Sequence, residues 1–443
     1  MDTDLTTRRQ ALRKTYRYRR RSQAGSITSG VQMLENTAGP RKNAARRVGG
    51  DDPETEYLSA TEAARLLKVS VQTLYVYVSR KGIRSKPIPG SRSRRYWKPD
   101  LDRVNRGNEA TTAKAGSVRQ ESAITLISAS GLFYRGQKVT DLVENASLEA
   151  TAALLWGVEE NDAFRTSPPK VPSNFLSMHR VLAKQSDIDR ATAFLPLFEG
   201  ANPTSYDLST LGMARTGGDI LRTIAALAVG DKKPSVEPIH KYIARSIGAN
   251  GLQSELIRRQ LVLAADHGFQ PGAVAVRALA STGITPWRSV IGGLSVTMGC
   301  RTRLSGWGRV SRLLAEIESS SNPAQPVVER IRAGESVPGF DAPLYAQGDP
   351  RARSLLSFCA TVLSRDPGYL RLTQALAAAK EIQGLEPNFA LAFLFVDGKT
   401  GLAAGRSLFH VGRCAGYVAH AIEQFQWGEP KRVIGEYKGE LPP

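Results

Sequence analysis

Residues 408–424 read Leu-Phe-His-Val-Gly-Arg-Cys-Ala-Gly-Tyr-Val-Ala-His-Ala-Ile-Glu-Gln. Leu408, Val411, Ala415, Val418 and Ile422 recur at alternating spacings of three and four, which is the period of one face of an α-helix. The same period marks 147–156, 220–228, 254–265, 309–317 and 369–382, with Gly and Pro between them and few convincing strands. An all-α body of more than 300 residues, built from many medium helices, is the fold class this pattern predicts.

The full chain has 443 residues with 60 Lys+Arg against 41 Asp+Glu, a formal net charge of +19. Residues 1–106 hold 24 basic and 10 acidic side chains, so +14 sits in less than a quarter of the chain. The balance describes a basic head on a nearly neutral body, and such a head asks for a polyanionic partner. A hydrophobic content of 41% excludes wholesale disorder. Cys300, Cys359 and Cys414 are too widely spaced for a disulfide framework or a zinc cluster, so a reducing, cytoplasmic setting and no metal are expected. Apolar runs such as 389–396 fall well short of the roughly 20 residues that cross a bilayer, so no membrane partner is expected.

Residues 1–50, with Arg and Tyr interleaved, read as a basic disordered arm. At Ser59-Ala60-Thr61-Glu62 a capping box opens a short helix, and Ser70 caps a second whose buried side is expected to carry Val71, Leu74, Tyr75 and Val78. Gln72, Thr73, Tyr77 and Arg80 then face solvent, and the basic segment with Arg92, Arg94 and Arg95 reads as a wing. Residues 56–106 resemble the winged helix-turn-helix of MerR and excisionase-like proteins, which implies that these seven residues contact DNA. The alternative is a helical pair serving as a protein–protein module. A linker is expected at 107–118.

Several strings in the body carry a second resemblance. They are Phe133-Tyr134-Arg135-Gly136, Leu221-Arg222-Thr223, Ala265-Asp266-His267, Gly348-Asp349-Pro350-Arg351-Ala352 and Gly412-Arg413 with Gly416-Tyr417 and Ala419-His420. In this order and near this spacing, residues 119–443 resemble the citrate synthases. The resemblance implies large and small helical domains, the small one inserted at roughly 270–370, in a homodimer with a cleft for oxaloacetate and acetyl-CoA. By the same matching His267, Arg351, Arg413 and, from the partner subunit, Arg432 hold the dicarboxylate; the alternative is that these arginines form interface or cleft ion pairs.

Three positions depart from the family pattern. Thr302 and Ala342 stand where relatives carry the two catalytic histidines, and Ala390 stands where they carry the aspartate that removes the acyl proton. Loss of one such group costs about 100- to 10,000-fold. The expectation is therefore a DNA-binding regulator whose non-catalytic dimer senses a di- or tricarboxylate. The alternatives are an active citrate or 2-methylcitrate synthase with an accessory head, and a ligand-free dimerisation scaffold. No cofactor is expected, and acetyl-CoA enters as a substrate only in the synthase alternative. Trp156, Trp307 and His420 read as packed residues, His240 as a helix-start surface residue and Asp349 as a turn or capping carboxylate.

Overall fold

A computed structural model describes residues 57–91, 93–109, 121–128, 130–299, 301, 306–340, 344–345, 347–402 and 407–428. The arm expected at 1–50, most of the expected linker, and Arg92, Thr302, Ala342 and Arg432 lie outside the described residues.

The head runs β1 (Tyr57–Leu58), α1 (Ala60–Leu66), α2 (Val71–Arg80), β2 (Ser85–Pro87), β3 (Arg94–Trp97) and α3 (Lys98–Glu109). The capping box forms as read, with the Ser59 hydroxyl accepting from Glu62 N and the Glu62 carboxylate accepting from Ser59 N. Ser70 caps α2 through Thr73 N at 3.1 Å. The three strands pair antiparallel in the order β1-β3-β2, with Tyr57 opposite Trp97 and Ser85 opposite Tyr96. A small core of Ala63, Ala64, Leu67, Leu74, Ile83, Tyr96, Leu101 and Val104 holds these elements together. Arg84 closes it by donating Nε and Nη2 to the buried Asp100 carboxylate at 2.9 and 3.1 Å.

One detail of α2 differs from expectation. Tyr75 is exposed, whereas Tyr77 packs against the core beside Val71 and Val78. Leu74 sets the phase, and at 100° per residue position 77 shares its face while position 75 turns away. Helix α3 also continues to Glu109, inside the stretch read as linker.

The body opens with a three-stranded antiparallel sheet that the helical period did not predict: β4 (Thr125–Ser128), β5 (Gly131–Tyr134) and β6 (Gln137–Lys138). The helices that matter for the site follow. They are α4 (Val139–Asn145), α5 (Leu148–Trp156), α9 (Thr210–Ala228), α11 (Gly251–Ala264), α12 (Pro271–Ala280), α13 (Pro286–Thr297), α14 (Trp307–Ser319), α16 (Pro350–Val362), α17 (Pro367–Gln383), α18 (Phe389–Thr400) and α19 (Ser407–Gln426). The six helical stretches read from periodicity all fall in helices, within a few residues at each end, apart from 220–228, which is the second half of α9.

Helix α19 is the spine of the body. Every residue from Ser407 to Glu423 is buried, and the helix packs against α5, α9, α11, α12 and α13. Two glycines allow that crowding. A Cβ on Gly412 would stand 2.6 Å from Leu261 O, and one on Gly416 would stand 2.4 Å from both Ala265 O and Asp266 Oδ1. The close approach brings Gly416 N to 3.0 Å from Ala265 O, so it donates a hydrogen bond there and fastens α19 to the end of α11. Trp156 adds a second fastening, donating Nε1 to Ala415 O at 2.9 Å.

Gly416→Ala should therefore destabilise the protein by about 1–3 kcal/mol, because the methyl group meets backbone as well as a buried carboxylate. Urea unfolding would measure it; a loss within the noise of the wild-type curve would show that α19 can step back from α11.

Candidate functional site

A cavity of about 300 Å³ is lined by the turn after α11, the start of α14, residues 336–339 and the starts of α16 and α18, with Arg413 of α19 in its wall. His267, Arg351 and Arg413 each contact a buried neighbour.

His267 follows Asp266, whose carboxylate is wholly buried. Thr125 Oγ1 donates to Asp266 Oδ2 at 2.6 Å and Gly268 N donates to the same oxygen at 2.7 Å. His420 Nε2 lies 3.3 Å from Oδ1, and Tyr134 Oη both donates to Asp266 O and accepts from Asp266 N. Burial by itself would raise this carboxyl, but His420 and Arg413 hold it well below the usual carboxylate range, so it stays charged. The turn is thereby rigid, and His267 points into the cavity from it.

From His267 a chain of polar contacts leads to Arg413. Gln270 Oε1 accepts from Arg413 Nη1 at 3.3 Å, and Gln270 Nε2 lies 3.0 Å from His267 Nδ1. With that amide orientation Nδ1 accepts, which leaves the proton on Nε2 to be donated to Tyr345 Oη at 2.7 Å. Burial pushes the Tyr345 phenol upward, so it remains neutral.

The two arginines are held differently. Arg351 forms a fork on Asp349, with Nε to Oδ1 at 3.0 Å and Nη2 to Oδ2 at 2.7 Å, and lies 4.1 Å from the Phe389 ring centre. Asp349 is also the N-cap of α16, so the carboxylate read as a cap serves as the counter-ion too. Arg413 lies over the Phe409 ring and is 2% exposed, yet its Nε and Nη2 have no hydrogen-bond partner among the described residues. A buried guanidinium with open donors carries a desolvation cost that a bound anion removes.

The opposite wall is chemically plain. Asn388 caps α18, its Oδ1 accepting from Ala390 N at 3.0 Å and Leu391 N at 3.2 Å, so the Ala390 methyl group sits on the first turn at the cavity edge. Among the described lining residues the only carboxylate is Asp349, already engaged by Arg351. Arg309 of α14 adds another positive charge to the wall.

Of the residues singled out from sequence, the structure brings His267, Arg351, Arg413 and Ala390 together around one cavity. Gln270, Tyr345 and Arg309 were not anticipated; Gln270 was signalled only by standing three residues after His267. In the head, Gln72, Arg80 and Arg94 are exposed while Thr73, Tyr77 and Arg95 are half-buried. Arg94 is tied to the hairpin by donating Nε to Ser85 Oγ at 2.9 Å. No described helix is long and apolar enough to cross a membrane.

This fold and cavity define a class that comparison makes explicit. The family model for the citrate synthase C-terminal domain matches residues 113–434, and the chain belongs to the citrate synthase family. It is 25% identical over 362 residues to the citrate synthase of Haloferax volcanii, covering 73% of this chain and 94% of that one. With 2-methylcitrate synthase 1 of Corynebacterium glutamicum it shares 24% over 70% of this chain and 89% of the relative. Among solved structures, citrate synthase from Pyrobaculum aerophilum superposes with a TM-score of 0.64 at 18% identity, covering 74% of this chain and 91% of that one. The Thermoplasma acidophilum citrate synthase, in ternary complex with carboxymethyl coenzyme A and oxaloacetate, has a TM-score of 0.56 at 18% identity, covering 73% and 96%.

These findings overturn the reading of the chain as a DNA-binding regulator. Relatives matched over nearly their whole length are named citrate or 2-methylcitrate synthases, so the synthase alternative fits better. That reading joined the basic head to the three departures from the family pattern, and net charge speaks to solubility and encounter rather than to the chemistry of a cleft.

Asp349→Ala would strand the Arg351 guanidinium without its counter-ion and should cost about 3–5 kcal/mol. Thermal unfolding would show it, and Asp349→Ala with Arg351→Met should recover most of the loss; no recovery would mean that the pair is not the cause.

Proposed function

We propose that the protein is a citrate or 2-methylcitrate synthase that binds oxaloacetate in this cavity and condenses it slowly with an acyl-CoA. The observation that carries the reading is Arg413, 2% exposed, with two buried donor nitrogens that lack a partner, in the wall of a cavity lined also by Arg351 and His267. A carboxylate satisfies both donors of such a guanidinium through two charge-assisted hydrogen bonds, which favours a dicarboxylate over a neutral substrate. The Nε2 proton of His267, now shared with Tyr345, is within the same wall and can turn to a substrate oxygen.

The slowness follows from Ala390. Removing a proton from the acyl methyl group needs a base, and a methyl side chain supplies none. Asp349 is a poor substitute because Arg351 already holds both of its oxygens. The reading carries with it a homodimer in which Arg432 reaches the partner's cleft. It also carries a winged helix-turn-helix head at 56–106, which the strand order β1-β3-β2 and the two capped helices support.

Thiol release from acetyl-CoA or propionyl-CoA with oxaloacetate is the test. Slow turnover is expected in the wild type, an increase of about 100-fold in Ala390→Asp, and loss in Arg413→Ala. Absence of thiol release from both wild type and Ala390→Asp, or turnover indifferent to Arg413→Ala, would refute the synthase reading.

A further inference from the structure

The cleft has an apolar corner as well as its cations. Asn388 N donates to Gly339 O at 2.7 Å, which ties residues 337–339 to the first turn of α18. Val337 and Pro338 are thereby brought to Phe389 and Ala390, and all four line the cavity. The wall at Ala390 is thus hydrocarbon, and it suits a neutral group better than an anion.

Arg309 stands on another part of the same lining. The helix that carries it is fixed to this corner, because Trp307 packs 5.4 Å from Phe393 of α18 and 4.9 Å from Phe409, the ring beneath Arg413. The Arg309 Nη2 lies 3.8 Å from where a Cβ on Gly306 would stand, so the guanidinium folds back over the start of α14. Arg351 and Arg413 are buried, whereas Arg309 is exposed. It therefore stands on the solvent side of a cavity of about 300 Å³, from which an acyl-CoA, far larger than that volume, has to enter. A cation at that point draws in an acyl donor with negative charge near its reacting end.

A free carboxylate on the carbon next to the thioester carbonyl answers both features. Its loss as carbon dioxide leaves the bonding electron pair on that carbon as an enolate, so no base has to remove a proton. On the synthase reading above, on which this rests, we propose that the acyl donor of the cleft is a malonyl-type thioester, whose decarboxylation forms the enolate that attacks oxaloacetate. The carbon–carboxylate bond breaks, its electron pair forms the new bond to the oxaloacetate carbonyl carbon, and the carbonyl oxygen takes up one proton. Water then cleaves the thioester, which yields a tricarboxylate, the free thiol of coenzyme A and one proton that balances the proton taken up. The corner at Phe389 and Ala390 holds the carboxylate against hydrocarbon and so favours its departure as a neutral molecule. Arg309 meets the charge as it moves to the thioester oxygen.

Malonyl-CoA labelled in its free carboxylate, supplied to the full chain with and without oxaloacetate, tests the proposal through labelled carbon dioxide and free thiol. Both products are expected together, only with oxaloacetate, and at least about tenfold faster than thiol from acetyl-CoA. Ala390→Asp should reverse that preference, because the new carboxylate repels the malonyl carboxylate and gives acetyl-CoA a base. Arg309→Met should lower kcat/KM for malonyl-CoA at least about tenfold while calorimetric binding of oxaloacetate stays unchanged. Arg309 is exposed, so this variant should keep the wild-type melting curve. Malonyl-CoA no faster than acetyl-CoA, or thiol released without carbon dioxide, overturns the proposal and leaves the synthase reading standing. Carbon dioxide released equally without oxaloacetate, or undiminished in Arg309→Met, also overturns it. Thiol release from neither donor, in wild type or in Ala390→Asp, overturns the proposal and the synthase reading together.

Discussion

The Asp266 carboxylate is the interaction on which the rest of the body depends. It is fully buried and charged, and it gathers the first strand of the body through Thr125, the end of α11 through its own turn, and α19 through His420. His420 in turn lies 3.3 Å from Arg277 on α12, which donates to Glu423 at 2.7 Å, and Glu423 accepts from Ala123 N at the start of the body. A charge stranded at either end of that string would cost several kcal/mol, so the string holds only as a whole. One consequence is local to the site: His267 is the next residue, and its direction is set by a turn that these hydrogen bonds hold.

The cleft built on this turn is asymmetric. One wall carries His267, Arg351 and Arg413, each in contact with a buried neighbour; the wall at Ala390 offers a methyl group. Binding and proton transfer make different demands. Recognition of a carboxylate needs fixed donors, and on the proposed reading Arg413 and Arg351 would supply them at little cost in side-chain freedom, because each guanidinium already lies over a ring, Phe409 or Phe389. Proton abstraction needs a base in reach, and the one carboxylate among the described lining residues, Asp349, is held on both oxygens by Arg351.

Much of this was legible before the structure, for reasons that can be named. The helical stretches announced themselves because a buried helix must repeat its apolar face every three or four residues, and α19 does so over its whole length. His267, Arg351 and Arg413 were legible as a set only through resemblance, since nothing in their spacing along the chain says that they meet. The Gln270 bridge was not legible, because a glutamine after a turn looks like a solvent residue until its neighbour is a buried arginine. The misphasing of Tyr75 and Tyr77 has a similar cause: two aromatics two residues apart cannot both face the core, and only Leu74 decides between them. The regulator reading, built on the basic head and on Thr302, Ala342 and Ala390, fails because a positive charge and three replaced side chains do not by themselves specify a nucleic-acid partner.

The proposed dicarboxylate site rests on the two unpartnered donors of Arg413. Calorimetric titration of oxaloacetate into the full chain tests it most directly. Saturable binding, at least about tenfold weaker when Arg413 is replaced by alanine, is the result expected for loss of charge-assisted hydrogen bonds. Binding that is absent from the wild type, or that persists undiminished without Arg413, would contradict it.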